Sequence, residues 1–197
     1  MSKQFLDLGV NKQLQKSLVD LEICTPTEIQ EQTIPVILSQ KKDITVLAKT
    51  GTGKTVAFGI PLLQLIDVKD TKIQTLILTP TRELGQQIYN NLKSFTNDST
   101  EISISSTLGG IPIKPQIESL TKTTHLVVAT PGRLVDLIKR GAISISDLKY
   151  LVLDEADEMV SALKEEVDFI IKKIPKSRRT LLFTATMSGA IKQLVQN

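Results

Sequence analysis

The stretch Ala48-Lys49-Thr50-Gly51-Thr52-Gly53-Lys54-Thr55 lies between a short apolar run, residues 44–48, and a helix-forming segment that follows it. Glycines at such a turn let successive backbone N–H groups point inward, and the N-terminus of the next helix adds a partial positive charge. In this pattern Lys54 reaches the β- and γ-phosphates of a nucleotide, and the Thr55 hydroxyl binds Mg²⁺. The stretch therefore predicts a phosphate-binding loop between a strand and a helix, and a chain that binds a nucleoside triphosphate.

The general pattern of such loops begins with glycine, whereas this chain has Ala48 at that position. The alternative interpretation is a flexible Gly/Thr turn that contains an incidental lysine. The strand before the stretch and the helix after it favour the phosphate-binding loop, because both help to aim backbone N–H groups at a phosphate.

The chain has 197 residues, of which 41% are hydrophobic and 23% are charged, as is ordinary for one globular α/β domain. A net charge of +3 is too small to indicate nucleic-acid binding by itself, although a local basic face remains compatible with it. No apolar run approaches the ~18 residues of a membrane span, and the N-terminus lacks the core of a signal peptide. We therefore expect a cytoplasmic protein without a membrane partner.

The chain contains one cysteine and one histidine, and neither indicates a reactive site. Cys24 can form no internal disulfide and no zinc site. It is interpreted as a small buried apolar residue in a reducing compartment. His125 precedes the apolar run 126–129 and is interpreted as a structural residue.

Apolar runs alternate with helix-like segments along most of the chain. Near the N-terminus, helical spacing covers residues 11–22, and Pro26 fits the first turn of a second helix. Strands are predicted at 44–48, 74–79, 101–106, 125–129, 149–153 and 179–184. Helices are predicted at 54–66, 82–95, 112–120, 132–139, 162–173 and from 188 to the end. Buried strands separated by helices indicate an α/β fold with a parallel sheet covered on both faces.

Every predicted strand is followed by polar, charged or glycine residues. The segments after the later strands are Pro80-Thr81-Arg82, Gly109-Gly110, Thr130-Pro131-Gly132-Arg133, Asp154-Glu155-Ala156-Asp157 and Thr184-Ala185-Thr186. Ligands of parallel sheets bind beyond the carboxyl ends of the strands. The sequence therefore predicts one functional site, formed by these segments and the phosphate-binding loop at the same edge of the sheet.

Asp154 and Glu155 follow the apolar run 150–153 directly. In that position Asp154 is suited to hold Mg²⁺, usually through a water ligand, and Glu155 to deprotonate an attacking water. The alternative is a pair of acids that simply begins the next helix, where negative charge is favoured. The phosphate-binding loop favours the catalytic interpretation.

Together these motifs resemble the DEAD-box ATP-dependent RNA helicases, whose name spells residues 154–157. The resemblance covers nearly the whole chain, because the motifs of the family's first helicase domain occur in order. It implies a three-layer RecA-like P-loop NTPase domain over residues 1–197, with residues 1–40 as the N-terminal adenine-recognition (Q-motif) segment. Nothing in 1–197 matches the second RecA-like domain, which in this family supplies arginine fingers and half of the RNA groove. The resemblance thus implies a monomeric first domain of a longer protein that uses ATP and Mg²⁺.

The resemblance also implies individual nucleotide contacts. Gln30 is expected to hydrogen-bond the adenine edge, and Phe5 to supply an apolar face nearby. The implied nucleotide-binding residues are Phe5, Thr25, Gln30, Ala48, Lys49, Thr50, Gly51, Thr52, Gly53, Lys54, Thr55 and Val56. The implied catalytic residues are Lys54, Asp154 and Glu155, with Thr55 and Asp154 at the metal.

Two further sets of residues are implied by the resemblance. The RNA-backbone contacts are Pro80, Thr81, Arg82, Gly109, Gly110, Thr130, Pro131, Gly132 and Arg133. Arginine charge, small hydroxyls and glycines suit phosphate and 2′-OH contacts that carry little sequence information. The residues expected to couple hydrolysis to strand separation are Asp157, Thr184 and Thr186, with Asp157 as a hydrogen-bond partner of the threonines.

Four positions depart from the family's pattern. Lys49 replaces glutamine or another polar residue, and Thr184 replaces serine. Gly85 replaces alanine, which is expected to cost the helix ~1 kcal/mol. Residues 158–161 replace a basic-Met-Leu continuation. None of these changes removes a catalytic group.

The residues disfavour two other functions. A small-molecule P-loop kinase is disfavoured by the adjacent pair Asp154-Glu155 and by the glycine and arginine segments on neighbouring strands. A non-catalytic RNA-binding adaptor is disfavoured because Lys54 and Thr55 are intact along with that pair.

Overall fold

A computed structural model describes residues 4–96 and 101–196, and its description of side chains extends to residue 194. Six strands form one sheet in the order β1-β6-β5-β2-β4-β3, and every pair of neighbours is parallel. The strands are β1 (Ile44–Leu47), β2 (Thr75–Leu78), β3 (Ile104–Thr107), β4 (Leu126–Ala129), β5 (Tyr150–Leu153) and β6 (Arg179–Thr184). The predicted parallel sheet is confirmed.

Helices connect the strands and precede the first of them. A 3₁₀ helix, Phe5–Leu8, is followed by α1 (Lys12–Asp20), α2 (Glu28–Ser39), α3 (Lys54–Leu65), α4 (Arg82–Thr96), α5 (Ile113–Leu120), α6 (Pro131–Lys139), α7 (Ala156–Ala162), α8 (Lys164–Ile171) and α9 (Gly189–Gln196). No helix in the described parts of the chain is long and apolar enough to cross a bilayer.

The core has two layers, one on each face of the sheet. The 3₁₀ helix and helices α1–α4 pack on one face, where the rings of Phe58 and Phe183 lie 5.1 Å apart between centroids. Helices α6–α9 pack on the other face against strand residues such as Leu151, Leu153 and Leu182. Successive residues of a strand point to opposite faces, so continuous apolar strands supply both layers. This arrangement is the three-layer α/β fold that the sequence predicts.

Most predicted elements differ from the observed ones by only one or two residues, but β3 begins three residues late, at Ile104. The reason lies at Ser103, whose backbone N–H donates to Nδ1 of His125 at 3.0 Å rather than to a neighbouring strand. His125 is buried, and this contact confirms its structural role.

One helix was not predicted, and two predictions about local structure are wrong. The helix predicted from 162 to 173 is present as α8, but an additional helix, α7, precedes it and ends at Ala162, before Leu163 with φ −134°. Pro26 lies before α2 rather than in its first turn, because a capping box between Thr27 and Gln30 starts the helix at Glu28. Cys24 is exposed rather than buried.

Helix α2 is held at its C-terminal end by a side chain from β6. The guanidinium of Arg179 donates to the carbonyl oxygens of Ile37 at 2.6 Å and Val36 at 3.1 Å, and to that of Lys42 at 2.6 Å. Carbonyls in the last turn of a helix lack the usual partner within the helix, so Arg179 satisfies the Ile37 carbonyl, while that of Val36 also accepts from the Gln40 N–H at 3.0 Å. The contact fixes α2 to the start of β6.

Candidate active site

The phosphate-binding loop has the backbone that its glycines predict. Gly51 and Gly53 have φ values of +82° and +89°, a region that residues with a side chain rarely adopt. Helix α3 begins at Lys54, so its N-terminus points into the loop. A Cβ atom on Gly53 would also lie 2.4 Å from Nε2 of Gln30. The backbone conformation therefore favours glycine at position 53, and a side chain there would also displace the Gln30 amide.

Lys54 lies at the carboxyl edge of the sheet beside two acidic side chains. Its Nζ is 3.0 Å from Oδ1 of Asp154 and 4.0 Å from Oε1 of Glu155. The Thr50 hydroxyl donates to the same Glu155 oxygen at 3.1 Å. Lys54 and Asp154 are 7% and 1% exposed, so this ion pair is buried. The structure thus brings the phosphate-binding loop and the Asp154-Glu155 pair together as the sequence predicts.

Burial raises the pKa of Asp154 above its ordinary value of 3.8, although the positive charge of Lys54 acts in the opposite direction. Glu155 has φ 54° and ψ 50°, an uncommon left-handed conformation for a residue with a side chain. Such backbone strain is often found at functional sites. The turn from β5 into α7 therefore places Asp154 and Glu155 in separate environments, one buried and one open to the cleft.

The start of α2 is hydrogen-bonded to the phosphate-binding loop. Oε1 of Gln30 accepts from the backbone N–H of Thr27 at 2.9 Å, while its Nε2 donates to the Gly53 carbonyl at 3.1 Å. The Thr27 hydroxyl donates to the Thr52 carbonyl at 3.0 Å. From the sequence, Thr27 belongs to the adenine-recognition segment around Gln30, but no contact is predicted for it. The capping-box pattern Thr-x-x-Gln at 27–30 was the available signal.

The other two residues of the predicted adenine segment lie elsewhere. Phe5 is 1% exposed and belongs to the core layer with Leu8 and Ile34, so it has no free face for a base. Thr25 is exposed in the connection between α1 and α2. Of the predicted adenine contacts, the structure brings only Gln30 next to the phosphate-binding loop.

Three segments of the predicted RNA set meet at the loop after β3. Arg82, at the start of α4, donates to the Gly110 carbonyl at 3.3 Å. The Thr130 hydroxyl accepts from the backbone N–H of Gly109 at 3.0 Å. Arg133 donates to the Ile111 carbonyl at 2.9 Å. The arginines therefore hold the glycine loop in this structure.

The remaining members of the RNA set lie at the starts of two helices. The Thr81 hydroxyl accepts from the backbone N–H of Leu84 at 3.3 Å, which satisfies a free donor in the first turn of α4. Pro131 occupies the first turn of α6, and Pro80 precedes α4. The space around Gly132 is open, since a Cβ atom there would meet nothing within 4 Å. These residues line the same edge of the sheet as the arginines.

The predicted contact between Asp157 and the segment after β6 is present. The Thr186 hydroxyl donates to Oδ2 of Asp157 at 3.0 Å, and the Thr184 hydroxyl donates to the Thr186 carbonyl at 2.9 Å. Burial acts to raise the pKa of Asp157, but hydrogen bonds to its carboxylate, led by that from Thr186, outweigh it and lower the pKa below 3.8. Asp157 is therefore held in its ionised form.

The family model for DEAD/DEAH box helicases matches residues 27–194. The chain belongs to this family. The matched residues include all the motifs described above except the segment that contains Phe5 and Thr25.

Two relatives in the DEAD-box family illustrate the similarity. The chain is 43% identical to the DEAD-box ATP-dependent RNA helicase CshA of Streptococcus pneumoniae over 192 residues, which cover 97% of this chain and 36% of that protein. It is 42% identical to RNA helicase CrhR of Synechocystis over 196 residues, which cover 99% of this chain and 39% of that protein. The chain therefore spans less than half the length of either relative.

Solved structures of DEAD-box proteins have the same fold. A DEAD box protein from the hyperthermophile Methanococcus jannaschii superimposes with a TM-score of 0.93 at 36% identity, covering all of this chain and 54% of that one. A Dbp5 variant of S. cerevisiae bound to RNA and ADP BeF3 gives a TM-score of 0.86 at 28% identity, covering 99% of this chain and 49% of that one.

Proposed function

We propose that this chain is the ATP-binding, RecA-like first domain of an ATP-dependent RNA helicase. The observation that carries the proposal is the buried ion pair of Lys54 with Asp154, 3.0 Å apart, beside Glu155 at the carboxyl edge of the sheet. A loop lysine, a metal-binding acid and a candidate general base at one edge are the parts that phosphoryl transfer to water requires. The related helicases and the RNA-bound structural neighbour support the same function.

The groups proposed to bind the nucleotide are bonded to one another in this structure. Lys54 leaves Asp154 for the β- and γ-phosphates, while N–H groups at the start of α3 surround the phosphate oxygens. Gln30 lies beside Gly53, and its amide has both N–H donors and an oxygen acceptor, which suit the edge of adenine.

The residues present fit Mg²⁺. Thr55 and Asp154 offer a hydroxyl and a carboxylate, and Mg²⁺ prefers oxygen ligands while it retains several waters. When bound, the ion neutralises charge that develops on the phosphates. The raised pKa of Asp154 reflects burial of its carboxylate, which a nearby cation would relieve.

Hydrolysis uses Glu155. Its carboxylate accepts a hydrogen bond from Thr50 and lies in the cleft, where it can orient and deprotonate the water that attacks the γ-phosphate. An arginine finger contributes ~10³–10⁵ in rate to such reactions. In the longer protein we infer that a second RecA-like domain supplies it. The chain alone is therefore expected to hydrolyse ATP slowly. We also propose that the protein is a cytoplasmic monomer.

RNA binding uses the edge formed by Arg82, Arg133 and the Gly109-Gly110 turn. Positive charge, hydroxyls and closely approaching backbone suit the phosphates and 2′-OH groups of a single strand. The contacts carry little base information, so the domain is expected to bind many RNA sequences.

The nucleotide arm of the proposal is tested with matched variants. Lys54→Ala is expected to weaken ADP and ATP binding strongly in calorimetry, whereas Lys41→Ala, at an exposed lysine before β1 and outside the loop, retains the affinity. Glu155→Gln is expected to bind ATP and lose single-turnover hydrolysis, whereas Glu158→Gln hydrolyses normally. Normal turnover by Glu155→Gln would remove the assignment of the base.

The RNA arm uses fluorescence anisotropy with a labelled single-stranded RNA of mixed sequence. The affinity is expected to fall as salt rises, and Arg82→Ala to weaken binding and reduce the slope of log K against log salt by about 1. Arg140→Ala, an exposed arginine at the other end of α6, serves as the control. If both variants bind RNA like the unmodified chain, this edge is not the RNA surface.

A further inference from the structure

The loop between β3 and α5, residues 108–112, has few backbone hydrogen bonds of its own and is held by side chains. Arg82 and Arg133 donate to the carbonyl oxygens of Gly110 and Ile111. A third side chain, Gln116, donates through Nε2 to the carbonyl oxygens of Leu108 at 3.1 Å and Pro112 at 3.3 Å. Gln116 thus joins the two ends of the loop.

Gln116 differs from the two arginines in burial and charge. It is 5% exposed and uncharged, and its bond to the fully buried Leu108 lies inside the protein. Arg82 is exposed, and Arg133 is half-buried. Gln116 therefore has no access to a strand of RNA, whereas the arginines are placed where a strand would pass.

The guanidinium donors of Arg82 and Arg133 have two possible acceptors, the loop carbonyl oxygens and the phosphates of an RNA strand. A guanidinium that turns to a phosphate gives up its hydrogen bond to a loop carbonyl, so RNA binding releases the Gly110 or Ile111 oxygen. The contacts that remain are the Thr130 hydroxyl on Gly109 and the Nε2 group of Gln116. Leu108 is also fixed on its side-chain end, where it packs in the space beside Gly85.

We propose that Gln116 is a positioning residue for RNA binding. It keeps the Gly109-Gly110 turn in its binding shape while the arginines exchange loop carbonyls for RNA phosphates. This inference rests on the proposed RNA-binding function and assigns a residue outside the motifs that suggested it. Its side chain touches no RNA, so its effect is on affinity and not on the number of phosphate contacts.

The test replaces the amide by an isosteric group without a donor. Gln116→Glu at pH 8 presents a carboxylate to the Leu108 carbonyl, and RNA affinity is expected to fall about tenfold, the equivalent of a lost buried hydrogen bond. Burial raises the pKa of such a carboxyl. At pH 5.5 the protonated acid regains an O–H donor. The loss of RNA affinity, relative to the unmodified chain at the same pH, should therefore be smaller.

Two further variants separate positioning from general stability. Gln116→Met, which has a similar length and can never donate, is expected to lose the same affinity at both pH values. Ser105→Ala removes a buried hydrogen bond to Thr124, two residues before the adjacent strand β4, and should leave RNA affinity unchanged. ADP affinity should be unchanged in all three variants, and the salt slope should stay that of the unmodified chain.

Each outcome decides one statement. RNA affinity of Gln116→Met equal to that of the unmodified chain overturns the inference, as does an equal loss of ADP and RNA affinity. A salt slope reduced as in Arg82→Ala would make Gln116 a direct phosphate contact and also overturn it. If the unmodified chain binds no RNA, the proposed function fails first.

Discussion

Leu108 occupies the space that a side chain at position 85 would need. A Cβ atom on Gly85 would lie 2.6 Å from Cδ2 of Leu108 and 3.0 Å from the Thr79 hydroxyl. Gly85 therefore lets α4 lie against the end of β3, and its departure from the family's alanine is matched by a bulky neighbour. The helix-weakening effect of glycine that the sequence suggests is only part of the balance.

Gly85→Ala is expected to lower the free energy of unfolding by ~1–3 kcal/mol through overpacking, despite the better helix propensity of alanine. The measurement is urea denaturation. Gly189→Ala in α9 is the matched control, because a Cβ atom there meets nothing within 4 Å. The double variant Gly85→Ala/Leu108→Val should recover most of the loss. A single variant as stable as the unmodified chain would show that Leu108 yields freely.

Asp154 is expected to make stability fall as the pH rises. Burial raises the pKa of its carboxyl above 3.8, so the folded state binds the proton more tightly than the unfolded state does. This contribution is present at low pH and is lost as the pH rises from about 3.8 through the folded-state value. The free energies of unfolding of the unmodified chain and of Asp154→Asn should be compared by denaturation between pH 4 and pH 7. The unmodified chain should lose stability relative to the variant as the pH rises. A constant difference would contradict the raised pKa.

His125 has the opposite effect at slightly higher pH. Burial lowers the pKa of its imidazole below 6.5, partly countered by Asp70, so protonation favours the unfolded chain. Stability should therefore decline as the pH falls below about 6.5, because His125 must also give up the hydrogen bond it accepts from Ser103. The advantage of the unmodified chain over His125→Gln should shrink between pH 7 and pH 5. Parallel profiles of stability against pH for the two proteins would contradict the lowered pKa of His125.

Gln30 is expected to make the domain prefer ADP over GDP, because guanine reverses the donor and acceptor positions that an amide reads. Gln30→Ala should weaken ADP binding and lose the preference. Gln32→Ala, on the same helix and bonded to Glu28, should change neither. Calorimetry with both nucleotides checks the prediction. Equal affinity of the unmodified chain for ADP and GDP would leave Gln30 with only its contacts to Thr27 and Gly53.

ATP hydrolysis by residues 1–197 alone should be slow and should respond little to RNA. Coupling requires states that both ligands bias, and here these are the open and closed arrangements of two domains. Steady-state ATPase assays with and without single-stranded RNA, beside a duplex-unwinding assay, provide the measurement. Strong stimulation of the ATPase by RNA, or duplex unwinding by this chain alone, would contradict the two-domain mechanism.

The sequence predicted the edge of the sheet better than the bonds formed there. Apolar runs followed by polar segments fix where strands end, so Lys54, Asp154 and Glu155 could be brought together without coordinates. The bond from Arg133 to a loop carbonyl and the burial of Phe5 depend on packing between distant segments, which local pattern does not contain. Gln116 was missed for the same reason.

Helix α2 limits which part of the phosphate-binding loop is free to move. Thr27 and Gln30 hold the carbonyls of Thr52 and Gly53, and Arg179 anchors the far end of the helix on β6. At the other side of the loop the Ala48 N–H is bonded to the last residue of β6 at 2.9 Å. Both ends of the loop are therefore held by hydrogen bonds to α2 and β6, so we expect the backbone to adjust to a nucleotide mainly at residues 49–51.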